Sequence, residues 1–380
     1  MRDFFSAVGA AVWNYIREAD KLLAVAVLTL STFGVVAISS ATMYDPSLQK
    51  RSLIIQTAAI LIGFLVMIIL SKIDYDILSE LSPYIVGFAF LLNLFTAIFA
   101  PNINGNKNWL IIGPISVQTS EITKAFFALT ISAHLRKIGG EPASFKNILF
   151  LGLHFLCYAA PIVLQKDIGS VLVYLCAFAV LLYMSGLQYR YLIAGGVIVV
   201  AAVPLVWKFL STYQKARIIY GFQPELDPLG YGLQPLVSKI ALGSGGLTGL
   251  GYGNGIQTQN DLLPASSTDF IFGIIGEEFG FIGCMFVILM LIFIVLLIAR
   301  DASKAKDYCG KYICITVASV IAVQTIINIG MCVGLSPVIG ITLPFVSYGG
   351  SSVLSMYICL GLVQGTRIRR EKVLNFTRRY

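Results

Sequence analysis

The sequence is a series of long apolar stretches separated by shorter polar ones. A membrane-spanning helix needs about 20 mostly apolar residues, and stretches that meet this need follow one another along the chain. They are residues 22–44, 52–71, 80–107, 121–136, 147–165, 168–189, 191–207 and 269–299, and two more within 311–367. The last interval is too long for one crossing, and SPVIGITLPFVSYGG divides it. The pattern predicts an all-α polytopic membrane protein, with about ten transmembrane helices in a single domain, residues 1–380.

Residues 211–268 form the longest polar interruption and lie between the predicted seventh and eighth spans. They hold clustered charges, prolines and two glycine-rich stretches, GSGG at 243–246 and GYGNG at 251–255. We interpret this segment as one large loop at the membrane surface, where a site for chemistry is expected. The short turn LQKDIG, residues 164–169, is interpreted as a solvated connection between spans five and six.

Composition and charge agree with this picture. Of the 380 residues, 57% are hydrophobic and 12% are charged, and the mean hydropathy is +0.83, so a soluble protein is excluded. A net charge of +8 would suit a nucleic-acid-binding protein, but the basic residues mark membrane topology instead. With the N-terminus placed in the cytoplasm, 18 of the 27 Lys and Arg residues fall on the cytoplasmic side. Both termini are therefore predicted to be cytoplasmic and loop 211–268 extracellular, with 1–21 as an interfacial segment and 367–380 as a basic tail.

Neither cysteine nor histidine indicates a metal site. The seven cysteines lie mostly in apolar stretches and form no Cys-x-x-Cys motif, so they are interpreted as small hydrophobic residues. His134 and His154 are isolated in apolar stretches and are interpreted as packing or interface residues. We therefore predict no disulfide framework, no metal ligands and no nucleic-acid partner.

Charged residues inside predicted spans are costly and are usually kept for a reason. Glu121 and Lys124 are three residues apart on one helix face and can pair. Such a pair either is a neutral structural element or lines a substrate cavity. Glu277 and Glu278 are adjacent and face different directions. One of them is expected to meet Lys124 or Arg217, and the other to cap a helix, bind water or meet a partner.

The large loop carries the main candidates for chemistry. Lys215, Arg217 and Lys239 lie near the glycine-rich stretches, an arrangement that either binds phosphate through backbone N–H groups and cations or is a flexible loop. Asp269 stands at the start of span eight, where it either caps the helix or acts as a base if burial raises its pKa. Asp261 lies eight residues upstream, so two carboxylates are expected to flank one outer cavity.

These stretches resemble the family of shape, elongation, division and sporulation (SEDS) proteins, typified by RodA, FtsW and SpoVE. The matching motifs are NWLIIGPISVQTSEITK at 108–124, LQKDIGS at 164–170, YQKARI at 213–218, SKIALGSGGLTGLGYGNG at 238–255, LPASSTDFIFGIIGEEFGFIG at 263–283 and SPVIGITLPFVSYGGSS at 336–352. They cover nearly the whole chain, and the last two are long and highly specific. NIGMCVGLSP at 328–337 resembles RodA slightly more than FtsW.

The resemblance implies a peptidoglycan glycosyltransferase that polymerises lipid II into β-1,4 glycan strands on the outer face of the bacterial cytoplasmic membrane, for cell shape, division or sporulation. It implies lipid II and undecaprenyl-pyrophosphate-linked glycan as ligands, and a class B penicillin-binding protein, a transpeptidase, as partner. No cofactor is required by this reading, although a divalent cation such as Mg²⁺ or Mn²⁺ can assist at the pyrophosphate.

The resemblance also assigns roles to particular residues. The family's essential aspartate falls on Asp269, a second acid of some members on Asp261, and the basic position of YQxxRI on Arg217. The SExxK pair falls on Glu121 and Lys124. The remaining candidates for substrate binding are Lys215, Lys239, Gln234 and Ser238.

Five positions depart from the family pattern. The family usually has Arg, Pro, Pro, Glu and His where this chain has Asn108, Thr119, Lys166, Ala265 and Ser267. Asp269 is retained, so the departures concern substrate binding and rate more than reaction type.

The implied chemistry is a single displacement, because the donor sugar is α-linked to pyrophosphate and the product is β-linked. Asp269 would deprotonate the acceptor 4-hydroxyl, and Arg217 with Lys215, Lys239 and Lys124 would stabilise the departing pyrophosphate.

Two alternatives stay open. One is a transporter that flips lipid-linked precursors, for which intramembrane Glu and Lys residues and a broken apolar run such as 336–350 are typical. The other is a noncatalytic scaffold for the transpeptidase. Transport predicts functional charges near the bilayer midplane, whereas polymerisation predicts them at the outer mouth.

Overall fold

The computed structural model describes residues 18–377, apart from residues 104, 114 and 143. The predicted interfacial segment therefore lies mostly outside the described residues, as do the last three residues of the basic tail. The helices are α1 Lys21–Ala41, α2 Pro46–Lys72, α3 Tyr75–Glu80, α4 Ser82–Phe99, α5 Thr119–Lys137, α6 Phe145–Leu164, α7 Ile168–Met184, α8 Tyr189–Phe209, α9 Thr212–Phe222, α10 Leu233–Ser244, α11 Ile256–Gln259, α12 Ile271–Ser303, α13 Tyr308–Val333 and α14 Gly350–Thr377.

The long helices confirm the predicted polytopic, all-α class. Seven helices are long and apolar enough to cross a membrane, namely α1, α2, α4, α6, α8, α12 and α13. Helix α7 is apolar but shorter, at 17 residues, and the more polar α5 and α14 are long enough. These helices occupy the ten predicted spans. The third predicted span, 80–107, was too long, since α4 ends at Phe99. The sequence pattern also missed one two-stranded antiparallel hairpin between α4 and α5, β1 Trp109–Ile112 with β2 Ile115–Gln118.

Several helices begin at an aspartate. The side chains of Asp20, Asp45, Asp167 and Asp307 accept hydrogen bonds from backbone N–H groups in the first turns of α1, α2, α7 and α13, respectively. Such caps satisfy N–H groups that have no partner within the helix. The short polar breaks in the sequence therefore define where these helices start.

Helix α13 is at the centre of the bundle and packs against α5, α7, α12 and α14, while α14 also packs along α2. Helix α8 differs from the others, since no residue of its apolar stretch is buried and its main contact is with α7.

One end of the bundle is held by ion pairs, and we call it the basic end. Asp20, before α1, pairs with Arg300 at the end of α12 and with Arg367 in α14. Arg300 and Arg367 also contact Asp301. The beginning of α1 and the last part of α14 thus meet at the same end. Helix α12 runs from there to the opposite end, which holds the candidate site.

Candidate functional site

Two charged side chains form the centre of the site. Asp269 lies in the turn before α12, and its Oδ2 is 4.0 Å from Nη2 of Arg217 on α9; their side chains are 19% and 18% exposed. The backbone of Gly340 lies against both, since a Cβ added there would be 3.4 Å from Asp269 Oδ2 and 3.6 Å from Arg217 Nη1. A separation of 4.0 Å exceeds hydrogen-bond distance, so the pair leaves capacity on both groups for a ligand.

The backbone around Asp269 is fixed by its neighbours. Asn328 on α13 donates from Nδ2 to the carbonyl oxygens of Asp269 at 2.8 Å and Ile341 at 2.7 Å. Ser347 Oγ and the Tyr348 N–H donate to the carbonyls of the two residues before Asp269, at 2.6 and 2.8 Å. These bonds join the aspartate turn to segment 336–349, so the site does not depend on a free loop.

Burial raises the pKa of the Asp269 carboxyl above its ordinary value, while Arg217 and a hydrogen bond from Thr268 act in the opposite direction. The net shift is upward. A carboxylate with a raised pKa is a better proton acceptor than a solvated one.

Helix α9 places Arg217. Its N-terminus is closed by a capping box between Ser211 and Gln214. Gln214 Nε2 also donates to the Lys166 carbonyl at 2.9 Å, which ties α9 to the turn between α6 and α7. The guanidinium of Arg217 lies 5.5 Å from the centroid of the Tyr213 ring, within cation–π range.

A cavity adjoins Arg217. Its walls are the turn between α6 and α7, helix α9 and segment 336–349, and its polar lining includes Asn106, Lys166, Asp167 and Tyr213. The prediction that residues 164–169 form a solvated connection is therefore wrong at Asp167, which is buried. An aspartate directly before an apolar span is typical of a helix N-cap. This sequence signal could have indicated that Asp167 is buried at the start of α7.

Asp167 is the most heavily hydrogen-bonded carboxylate at this end. Its Oδ2 accepts from Asn108 Nδ2 at 3.1 Å, Gln118 Nε2 at 2.7 Å, Ser120 Oγ at 2.9 Å and Ser170 Oγ at 2.9 Å. Its Oδ1 accepts from the Ser170 N–H at 3.1 Å. The donors belong to the hairpin, α5 and α7, so this carboxylate joins three pieces of the chain.

The other predicted loop residues occupy different places. Lys239 is 4.0 Å from Glu225 and Lys215 lies 6.0 Å from the Trp207 ring centroid, so neither contacts Asp269. Ser238 is buried and donates to the Cys332 carbonyl, while Gln234 is half-buried in the first turn of α10. Of the predicted cations, the structure brings Arg217 to Asp269.

Neither Asp261 nor Asp269 lines the cavity beside Arg217, so the expected pair of carboxylates does not flank it. Asp261 is exposed, has φ of +51°, and lies beside the Tyr44 hydroxyl. Burial and then the nearby Asp261 raise the pKa of Tyr44. The expectation rested on a separation of eight residues along the chain, but here the chain turns between α11 and α12.

Glu277 and Glu278 meet neither Lys124 nor Arg217, contrary to expectation. Glu277 accepts the N–H groups of Gln257 and Thr258 at 2.8 and 3.1 Å and thereby closes the start of α11. Glu278 accepts from Ser40 Oγ at 2.6 Å and from the side-chain amide of the last residue of α11. The sequence indicated a cap for one of the pair, but both carboxylates stabilise the large loop.

The glycine-rich stretches pack against a break in α12. Gly280, with φ of +64° and ψ of −162°, interrupts α12 and leaves backbone groups unpaired. The N–H groups of residues 250 and 251 donate to the carbonyls of residues 277 and 278, and the N–H groups of residues 281 and 282 donate to the carbonyls of residues 246 and 247. Backbone groups must be paired inside a membrane. We call residues 245–251 the glycine clamp.

Glu121 and Lys124 form an ion pair inside the bundle. Lys124 Nζ is 2.7 Å from Glu121 Oε1, and their side chains are 2% and 8% exposed, respectively. Ser355 on α14 donates to the Glu121 carbonyl. Neither side chain lines the cavity beside Arg217. The geometry favours the structural interpretation of the pair.

We expect Lys124→Met to lower the free energy of unfolding by about 3–5 kcal/mol, because it leaves the Glu121 carboxylate buried without a partner. Adding Glu121→Gln should recover most of the loss. Thermal unfolding of both variants in detergent tests this, and equal losses in the single and double variants would contradict it.

The departures from the family pattern have local explanations at three positions. Thr119 is the first residue of α5, where proline is favoured, and its hydroxyl bonds to Asn93 and Thr96. Lys166 has φ of +61°, which proline cannot adopt, so the backbone of this turn differs from one that holds proline. Asn108 donates to Asp167, as described above.

Comparison with known proteins agrees with the fold and the motifs. The model of the cell cycle protein family FtsW/RodA/SpoVE matches residues 20–372. The chain is 31% identical over 366 residues to the peptidoglycan glycosyltransferase MrdB of Escherichia coli K12, covering 94% of this chain and 96% of that protein. It is 33% identical over 359 residues to the stage V sporulation protein E of Bacillus subtilis, covering 90% and 95%.

Solved structures show the same architecture. A chain in the structure titled "Structural coordination of polymerization and crosslinking by a peptidoglycan synthase complex" has a TM-score of 0.79, 26% identity, and coverage of 93% of this chain and 98% of that one. The rod shape determining protein RodA of Thermus thermophilus has a TM-score of 0.69 at 24% identity, with 93% and 97% coverage. Motifs, fold and full-length similarity agree, and the chain belongs to the FtsW/RodA/SpoVE family of SEDS membrane proteins.

Proposed function

We propose that the chain is a peptidoglycan glycosyltransferase that polymerises lipid II into β-1,4 glycan strands on the outer face of the cytoplasmic membrane. The observation that carries this proposal is the Asp269–Arg217 pair, a base and a cation 4.0 Å apart at the end of a membrane bundle opposite to the basic end. Relatives of similar length that are named peptidoglycan glycosyltransferases support it.

The reaction proceeds by one in-line displacement. Asp269 takes the proton of the acceptor 4-hydroxyl as that oxygen attacks the anomeric carbon of the growing strand. The bond from this carbon to the pyrophosphate oxygen breaks, and its electron pair leaves with undecaprenyl pyrophosphate. Arg217 stabilises the negative charge that develops there.

The other cations contribute unequally to this scheme. Lys239 is one-third exposed and only loosely paired with Glu225, so it is available as a second contact for the pyrophosphate. Lys124 is neutralised by Glu121, and Lys215 lies against Trp207. Lys124 and Lys215 are therefore not among the proposed pyrophosphate contacts.

A divalent cation would be held mainly by the pyrophosphate. Among the residues that the structure describes, no group of three His, Cys, Asp or Glu side chains is placed to hold a metal. An Mg²⁺ or Mn²⁺ ion taking part would therefore bind oxygens of the substrate and supplement Arg217.

The lipid tail needs a path from the bilayer to Arg217. Helix α8 precedes α9, which carries Arg217, and the apolar stretch of α8 is not covered by the rest of the bundle. A polyprenyl chain can lie beside α8 while its head group reaches α9. The distribution of Lys and Arg supports a cytoplasmic basic end and an outer site.

We also propose that a class B penicillin-binding protein binds this chain and crosslinks its product. The similar chain solved within a peptidoglycan synthase complex supports such a partner.

The rival functions predict other geometry. A flippase is expected to keep free charges near the bilayer midplane, but Glu121 and Lys124 neutralise each other, and Glu277 and Glu278 are used by α11 and Ser40. A scaffold needs no base beside a cation. The polymerase agrees better with the positions of these charges.

The test is direct. The purified chain, with and without its cognate transpeptidase, is supplied with lipid II, and glycan strands are separated on a gel. Strands are expected. If neither preparation makes strands, while vesicles holding the chain alone move lipid II across the bilayer, the flippase replaces the polymerase.

The pH dependence follows from the pKa of Asp269. Only the ionised carboxylate accepts a proton, and burial raises its pKa while Arg217 lowers it. Activity should therefore be lost as pH falls through this pKa, above the range of a solvated aspartate. Arg217→Gln removes the lowering influence and should move the acid limb of kcat/KM toward higher pH. An unmoved limb in this variant would show that another group titrates.

A further inference from the structure

Asp167 is a buried carboxylate without a cationic partner. It is 6% exposed, and among the described residues no Lys, Arg or His nitrogen forms an ion pair with it. Five neutral hydrogen bonds replace its lost hydration. A buried charge is costly even when it is hydrogen-bonded, so this carboxylate is kept against a cost in free energy.

The hydrogen bonds are distributed unequally between the two oxygens. Four of them converge on Oδ2, whereas Oδ1 accepts only the Ser170 N–H. An ionised carboxylate has about four acceptor positions over its two oxygens. Oδ1 therefore keeps unused acceptor capacity.

Asp167 itself lies beside the candidate site. Asp167 and Arg217 line the same cavity, and Arg217 also faces Asp269. The turn that holds Asp167 is tied to α9 by the bond from Gln214 to the Lys166 carbonyl. On the other wall, a Cβ on Gly169 would lie 2.8 Å from the Ile339 carbonyl, so this turn packs closely against segment 336–349.

We propose that Asp167 is a second substrate-binding carboxylate, which accepts a hydrogen bond from a hydroxyl or amide N–H group of the sugar whose pyrophosphate contacts Arg217. Charge-assisted hydrogen bonds of this kind are short and strong in a water-poor cavity. Asp269 and Asp167 then have separate tasks, proton transfer and sugar binding. This inference rests on the proposed function.

Exchanging the carboxylate of Asp167 with a neighbouring amide tests its role in substrate binding separately from its role in the fold. The double variant Asp167→Asn with Asn108→Asp reverses this contact, so that an amide at position 167 donates to a carboxylate at position 108. The Ser120 and Ser170 hydroxyls can turn to accept from the new amide, whereas Gln118 Nε2 loses its acceptor. The exchange moves the charge away from the cavity, because Asn108 is buried and does not line it. If this protein does not fold, Asp167→Asn with Gln118→Glu makes the same exchange from the end of β2.

We measure KM and kcat for lipid II, and the rise in thermal midpoint that lipid II produces in the absence of turnover. The exchanged protein is expected to unfold somewhat below the wild-type temperature, because Gln118 loses its acceptor, with KM raised about tenfold and kcat changed less. Its thermal shift with lipid II should be smaller than that of wild type.

A wild-type KM and a wild-type thermal shift in the exchanged protein would overturn the role of Asp167. A wild-type chain that makes no glycan either alone or with its transpeptidase refutes the proposed function instead. In that case the thermal shift with lipid II still decides whether Asp167 binds the sugar.

Discussion

Asp269→Asn should reduce glycan polymerisation at least about a hundredfold, because general base catalysis contributes 10²–10⁴-fold and an amide cannot accept the proton. The substitution keeps the size of the side chain, and the bond from Asn328 goes to the Asp269 backbone. The variant should therefore fold and still bind lipid II. The rate of strand formation and the thermal midpoint with lipid II measure the two properties separately.

Asp261→Asn is the matched control. It changes the same type of residue eight positions earlier, but Asp261 is exposed and lies beside Tyr44. Activity should stay within about twofold of wild type, since exposed substitutions seldom change a free energy by more than 0.5 kcal/mol. Equal losses in the two variants would mean that the loop as a whole, rather than the Asp269 carboxylate, is needed.

Gly249→Ala should prevent assembly of the fold. Gly249 has φ of +81°, and an added Cβ would lie 2.1 Å from the Glu278 carbonyl oxygen. The positive φ costs about 1–2 kcal/mol for a residue with a Cβ. The overlap forces the glycine clamp away from the break in α12, whose backbone groups then lose their partners. We expect a large loss of monodisperse protein and of thermal stability in detergent.

Two neighbouring glycines separate these causes. Gly246 has φ of +55° but no atom near an added Cβ, so Gly246→Ala should cost only the conformational strain. Gly243 lies within α10 with open space around it, and Gly243→Ala should stabilise the helix by about 0.5–1 kcal/mol. If all three variants unfold alike, the clamp has no special role.

The parts that depend on local pattern could be predicted from the sequence. Apolar length located the spans, and the polar break before α12 located Asp269. The proximity of Arg217 to Asp269 was expected from the proposed chemistry, and the structure places the two side chains together.

The parts that depend on contacts between distant segments could not be predicted from the sequence. From the sequence, Asp167 looks like a polar turn residue. Its burial follows from hydrogen bonds with Asn108 and Gln118, which are distant along the chain. In the sequence, Glu277 and Glu278 look like charges inside a membrane span. Their partners are residues of the short helix α11, which no hydrophobic pattern predicts. The glycine-rich stretches resemble a phosphate-binding loop, because glycine allows close approach of the backbone both to a phosphate and to another backbone segment.

The central claim is that Asp269 acts as a base in a single displacement. The most direct measurement combines the linkage of the product with mass spectrometry of the protein quenched during turnover. The account predicts β-1,4 linkages, cleaved by a muramidase, and no sugar attached to Asp269. An α-linked product, or a glycosyl ester on Asp269, would show that the carboxylate is a nucleophile and would contradict the account.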